Sequence, residues 1–186
     1  MIRLDGITKK FAGGRLAEGI SLTVKTGVCT AITGASGSGK TTLLRIIAGL
    51  EKPDSGTVSG IEDMKKSFVF QENRLVEGIP AIDNILCVAP DRKKAEEILT
   101  ACGLYEHKDK KTGKLSGGMK RRLAIARAVA YGGDIFFLDE PLRELDKETE
   151  AGMTAFLKKE LAGKTVLLVT HSPEQSDILA DEIIRL

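Results

Sequence analysis

The chain has 186 residues, and its 28 Lys+Arg against 26 Asp+Glu leave a net charge of +2. That length suits one domain with a real core, with room for a small inserted subdomain, and the near-neutral charge argues against a general nucleic-acid binder or a polybasic membrane anchor. No apolar run approaches the roughly 18 residues of a membrane span, and Met1-Ile2-Arg3-Leu4-Asp5 lacks the plan of a signal peptide, so any link to a membrane is expected through a partner.

Residues 2–7 and 21–24 read as strands joined through a turn containing Gly13-Gly14, and Phe11 stands just after the first of them, beside two lysines. Residues 28–33 form a short apolar, β-branched strand that runs into Gly34-Ala35-Ser36-Gly37-Ser38-Gly39-Lys40-Thr41, and a helix follows from Thr42 to about Ala48. Glycines on a strand-to-helix turn are the context of a phosphate-binding P-loop. They let successive backbone N–H groups turn inward around an anion, while the helix adds its positive dipole end. Lys40 is placed to reach the β- and γ-phosphates, and the Thr41 hydroxyl to coordinate Mg²⁺.

The turn Pro53-Asp54-Ser55-Gly56 precedes a strand at Thr57-Val58, and residues 67–70 form another apolar strand that delivers Gln71 at its end. From about 72 to 114 the sequence is more polar and helical, with 93–104 as its clearest amphipathic segment, which reads as a small helical subdomain inserted in an α/β core. Residues 108–111, mostly Lys and Asp, read as a solvated loop, and His107 has no special role. Cys29, Cys87 and Cys102 are odd in number, widely spaced and set among apolar residues, which fits reduced thiols in the cytosol.

Ser116 opens a helix running to about Ala130, stopped by Gly132-Gly133. The strand at 135–138 then ends in Asp139 and Glu140. A helix over about 147–161, a strand at 165–170, a helix around 173–179 and a strand at 182–186 complete a pattern that implies a mostly parallel sheet covered on both faces. In such a sheet the strand ends share an edge with the P-loop, so Asp139 can hold the Mg²⁺ shell and Glu140 can serve as general base toward an attacking water. Leu115-Ser116-Gly117-Gly118-Met119 sets a hydroxyl and two glycines at a helix start, a second anion-binding surface or an ordinary N-cap. One nucleotide has little use for two γ-phosphate cradles, whereas two chains facing head to tail could use both. Lys120-Arg121-Arg122 reads as a solvated helix face.

Taken together, these residues resemble the ATP-binding subunits of ABC transporters over nearly the whole chain. The resemblance implies a P-loop NTPase core with N-terminal antiparallel β elements, residues 1–71 and 115–186 forming the core and about 72–114 a reduced helical subdomain. It implies that ATP is bound by residues 34–42, Gly34 to Thr42, and by Ser116, Gly117 and Gly118 of a second protomer. Gln71 fits the Q-loop that contacts Mg²⁺ and the attacking water, His171 the switch histidine, and Phe11 the aromatic that stacks on adenine. Arg143-Glu144-Leu145-Asp146 stands at the D-loop position, where Ser-Ala-Leu-Asp is commoner, and Met119 stands where Gln is more usual. The implied partners are a paired ATPase subunit and separate integral membrane permease subunits, with the chain peripheral on the inner face of the cell membrane and no nucleic acid involved. Residues 70–75 and 82–85 are similar to importer ATPases of the nitrate, sulfonate and taurine group. A soluble ABC-type ATPase acting on a non-transport partner is the alternative reading, and a monomeric P-loop kinase would leave Ser116-Gly117-Gly118 unexplained.

Overall fold

A computed structural model of the chain describes residues 1–11 and 14–186, with the side chains of residues 11–17 outside that description. Two sheets form the frame. Strands β1 (Ile2–Phe11), β2 (Gly14–Val24) and β4 (Ser55–Ser59) make an antiparallel sheet in the order β2-β1-β4. Strands β3 (Cys29–Thr33), β5 (Lys66–Val69), β6 (Ile135–Asp139), β7 (Thr165–Val169) and β8 (Glu182–Arg185) make a parallel sheet in the order β5-β6-β7-β3-β8.

The central strands are apolar at nearly every position because both faces of the parallel sheet are covered. Alternation then sorts their side chains into two layers. Phe136, Leu138, Val166, Leu168 and Ala31 point into a cluster with the helices α4 (Gly117–Tyr131) and α5 (Lys147–Glu160). Ile135, Phe137, Leu167, Val169 and Ile32 point into another with α1 (Lys40–Ile47) and the inner residues of the antiparallel sheet, Ile2, Leu4 and Ile7.

The polar stretch after Gln71 contains α2 (Ala81–Leu86), α3 (Arg92–Ala101) and 3-10 turns at Tyr105–His107 and Thr112–Lys114. Ile82, Ile85, Ile98 and Leu99 pack into the same cluster as Leu123 and Ile125 of α4. Asn84 on α2, buried, accepts from Val76 N at 2.9 Å and donates to Val76 O and the Thr112 hydroxyl, tying the segment that follows Gln71 to the helices. The last helix, α6 (Pro173–Leu179), starts two residues after His171.

The strands expected at 2–7 and 21–24 are longer than the sequence pattern indicated. Register shifts between Leu4 and Ile7 and again before Lys9 break the period-2 alternation, and Gly6 and Gly19 take left-handed backbone angles. Bulges of this kind keep the ladder going while hiding it from a pattern of alternating residues.

Candidate active site

Ile32, Val169 and Asp139 lie in one row across β3, β7 and β6, so three chain segments leave the sheet at one edge, side by side. The first is the turn into α1. Gly34, Gly37 and Gly39 all have left-handed φ angles, and a Cβ on Gly34 would stand 2.5 Å from the Leu186 carbonyl oxygen. Only glycine fits there without displacing main chain. Helix α1 has no side-chain cap at its N-terminus, which leaves its first amides open to an anion. Lys40 is buried, and its Nζ donates to Gly34 O at 3.0 Å and Ala35 O at 2.8 Å, folding the ammonium over the loop. Ser38 Oγ is buried with no hydrogen-bond partner.

The second segment follows β6. Asp139 is buried, and its Oδ1 accepts a 3.0 Å hydrogen bond from the Thr41 hydroxyl. Burial raises the Asp139 carboxyl above its ordinary pKa, with the Thr41 hydrogen bond pulling the other way. Glu140 turns the chain sharply, with φ of 49°, a left-handed conformation that costs a non-glycine residue of order 1–3 kcal/mol and is found at functional sites. Its amide donates to Val169 O at 2.9 Å.

The third segment follows β7. His171 Nε2 lies 3.1 Å from Glu140 Oε1, an oxygen that is buried and has no hydrogen-bond partner. Burial pushes the Glu140 carboxyl up, and proximity to His171 offsets part of that rise. A hydrogen-bonded trio, Thr170, Gln175 and Glu150, holds the histidine loop, the first two of them buried. The Thr170 hydroxyl donates to Gln175 Oε1 and Gln175 Nε2 donates to Glu150 Oε1, both at 2.7 Å, and Ser172 N donates to the Thr170 hydroxyl at 3.1 Å.

These segments enclose an open cleft of about 270 Å³ lined by Ser36, Gly37, Gly39, Lys40, Thr41, Thr42, Gln71, Glu140, Val169 and His171. Of the residues singled out in the sequence, the cleft gathers Ser36, Gly37, Gly39, Lys40, Thr41 and Thr42 with Gln71, Glu140 and His171, while Gly34, Ala35 and Ser38 do not line it and Asp139 is bonded to Thr41. The Phe11 side chain lies outside the described residues. Ser116, Gly117 and Gly118 do not line the cleft: Ser116 is exposed and caps its own helix by accepting from Met119 N at 3.3 Å. Among the described residues no cluster of three or more His, Cys, Asp or Glu could hold a metal by itself. Thr41 and Asp139 offer two hard oxygens, which fits Mg²⁺ because that ion takes few protein ligands and completes its shell with water and substrate phosphates.

Arg121 corrects the reading of 120–122 as a solvated helix face. It is 4% exposed, and burial pushes its pKa down to about 10. Lys120 pairs with Glu77 Oε1 at 2.8 Å, and Arg122 donates to the carbonyls of Cys102 and Gly103. The available signal was helical spacing, since Arg121 shares a stripe with Ile125 and Ala128, four and seven residues on. Gln175 carried no comparable signal.

The fold and this cleft define a P-loop nucleoside triphosphatase. Residues 17–143 match the family described as ABC transporter. The chain is 38% identical to the aliphatic sulfonates import ATP-binding protein SsuB 1 of Rhodococcus jostii strain RHA1, an alignment covering 98% of this chain and 78% of that protein. It is 35% identical to the macrolide export ATP-binding/permease protein MacB of Azoarcus sp. strain BH72, over all of this chain and 32% of that protein. A dimeric post-hydrolysis structure of the ATP-binding cassette MJ0796, bound to ADP and Pi, superposes with a TM-score of 0.88 at 32% identity, covering 100% of this chain and 94% of that one. The chain belongs to the ABC transporter family, and it is one of that family's ATP-binding, ATP-hydrolysing domains.

Proposed function

We propose that the chain is the ATP-driven subunit of an importer of the nitrate, sulfonate and taurine group, and that two copies close head to tail around ATP. The observation that carries the paired arrangement is the state of Gly117. It is exposed, has an ordinary φ, and a Cβ there would meet nothing within 4 Å. Nothing in its own chain calls for glycine, whereas a phosphate and a facing subunit approaching the helix start would. Ser116 is equally exposed and outside the cleft of its own chain.

In this reading Lys40 and the amides of residues 34–42 bind the phosphates, and Phe11 stacks on adenine. Thr41, Asp139 and Gln71 hold Mg²⁺, which when bound neutralises phosphate charge. Glu140 takes the proton of the attacking water, with His171 and Gln71 orienting it. Ser116, Gly117 and Gly118 reach the γ-phosphate of the partner's nucleotide. Most of the catalysis is positioning and electrostatics. Residues 1–71 and 115–186 act as the catalytic core, and about 72–114 as a helical subdomain that meets the membrane subunit. No helix among the described residues is long and apolar enough to cross a membrane, so permease subunits supply the pathway and hold the chain at the inner face of the membrane. The SsuB 1 relative is an import protein by name, which favours import.

Light scattering of the Glu140→Gln variant tests the pairing. ATP is expected to convert it from monomer to dimer, and Ser116→Arg added to it is expected to keep it monomeric with ATP still bound. A variant that stays monomeric with saturating ATP overturns the arrangement. Recovery with an integral membrane protein from detergent extracts tests the transport role.

A further inference from the structure

The Arg121 guanidinium joins both sides of the cleft through main chain. Its Nε donates to Pro141 O at 2.8 Å, and one terminal nitrogen donates to Asp139 O at 2.8 Å and Glu140 O at 2.6 Å. The other donates to Phe70 O, to Gln71 O at 3.3 Å and to Asn73 Oδ1 at 3.3 Å. Six acceptors share five N–H groups, and five of the six are peptide carbonyls. Among the described residues no carboxylate lies within ion-pair distance of this guanidinium. A planar fork of fixed geometry therefore clamps two loops from segments about 70 residues apart.

We propose that Arg121 is a positioning residue for hydrolysis. It fixes the main chain of Gln71 to that of Glu140, so that the two side chains set for the attacking water keep one spacing and move as a unit. The left-handed turn at Glu140 is the part of the site with most need of such support, because an unsupported non-glycine residue relaxes out of that conformation. Three of the six acceptors belong to residues 139–141, the turn itself. The other three belong to the segment carrying Gln71. A rearrangement of the Gln71 segment, from whatever docks there, is transmitted to Glu140 through a single side chain. This inference rests on the assignment of Gln71 and Glu140 to the water.

The test compares Arg121→Gln, Arg121→Lys, Asn73→Ala, Gln71→Ala and the double variant Arg121→Gln/Gln71→Ala, in steady-state hydrolysis and in binding of a fluorescent ATP analogue. Arg121→Gln is expected to lower kcat by about 10- to 100-fold, the effect of small misplacement of reacting groups, with KM for ATP and analogue affinity held. Lysine, which keeps the charge and three donors, is expected to restore part of the rate, and Asn73→Ala to cost less in the same direction. In the double variant the two losses are expected not to multiply, because both remove the same placement of Gln71. If Arg121→Gln does not fold, Arg121→Lys paired with Gln71→Ala decides in the same way. An unchanged kcat, or losses that multiply fully, overturns the proposal. Glu140→Gln runs beside them. Full activity in that variant would sink the assignment of the site, whereas an inactive Glu140→Gln with multiplying Arg121 and Gln71 losses would sink only the role of Arg121.

Discussion

The Thr41 hydroxyl donates a 3.0 Å hydrogen bond to Asp139 Oδ1, joining the first turn of α1 to the end of β6 across 98 residues of sequence. In the sheet, β7 lies between β6 and β3, the strand that leads into α1. Two oxygens with hydrogen-bonding capacity to spare are thereby held beside the phosphate loop. Thr41→Ala is expected to weaken ATP binding in Mg²⁺ by roughly 10–100-fold, the range for losing a hydrogen-bonded partner of a metal ligand, with binding in EDTA little altered. Titration with a fluorescent ATP analogue in both media checks this, and an equal loss in both would take Thr41 out of the metal site.

Glu140 lines the cleft together with Lys40, Gln71 and His171, and its left-handed backbone sets its direction. Glu140→Gln is expected to slow turnover by roughly 10²–10⁴, the contribution of a positioned general base, with ATP affinity intact. Hydrolysis at an unaltered rate would show that Glu140 has been given the wrong job.

The acid side of the pH profile follows from the same carboxyl. Burial raises its pKa above the ordinary 4.5, and His171 beside it holds the rise in check. A general base works only when deprotonated, so kcat/KM falls as pH drops through this raised pKa and is lost below it. Removing His171 takes away an influence that lowers the pKa. His171→Ala is therefore expected to move the acid limb to higher pH, whatever it does to the plateau. A limb that stays in place would separate Glu140 from the titration.

Gln175 bridges the Thr170 hydroxyl and the Glu150 carboxylate, with Gln175 and Thr170 both buried. Gln175→Leu leaves a donor and a charged acceptor without their partner, an expected loss of about 1–3 kcal/mol by urea unfolding. In a chain of this size, each 1 kcal/mol lowers Tm by about 2–4 °C. The trio also seats Ser172 N, next to His171, so kcat is expected to fall with stability, and a variant as stable as the parent would show that this bridge is dispensable.

What the sequence disclosed and what it withheld differ for a physical reason. The run from Gly34 to Thr41 is legible because left-handed turns admit almost only glycine, and the chemistry of Lys40 and Thr41 is carried by the residues themselves. Ser116 is legible as a helix start because it caps by accepting from the Met119 amide, three residues on. Arg121 and Gln175 were hidden because their partners are main-chain atoms and side chains brought near by folding, with Phe70 lying 51 residues from Arg121. The lengths of β1 and β2 were hidden by bulges, which a period-2 pattern cannot follow.

The division of the apolar side chains by the parallel sheet has a mechanical consequence. Helix α1, with the phosphate loop at its head, rests on one face, while α4 and α5, capped by Ser116 and Asp146, rest on the other. The sheet is a bulkhead between two compartments, and the nucleotide cleft opens at its rim, where β3, β7 and β6 end. Asp139, Glu140 and His171 occupy that rim, so the side chains proposed for the metal and the attacking water stand where the two compartments meet.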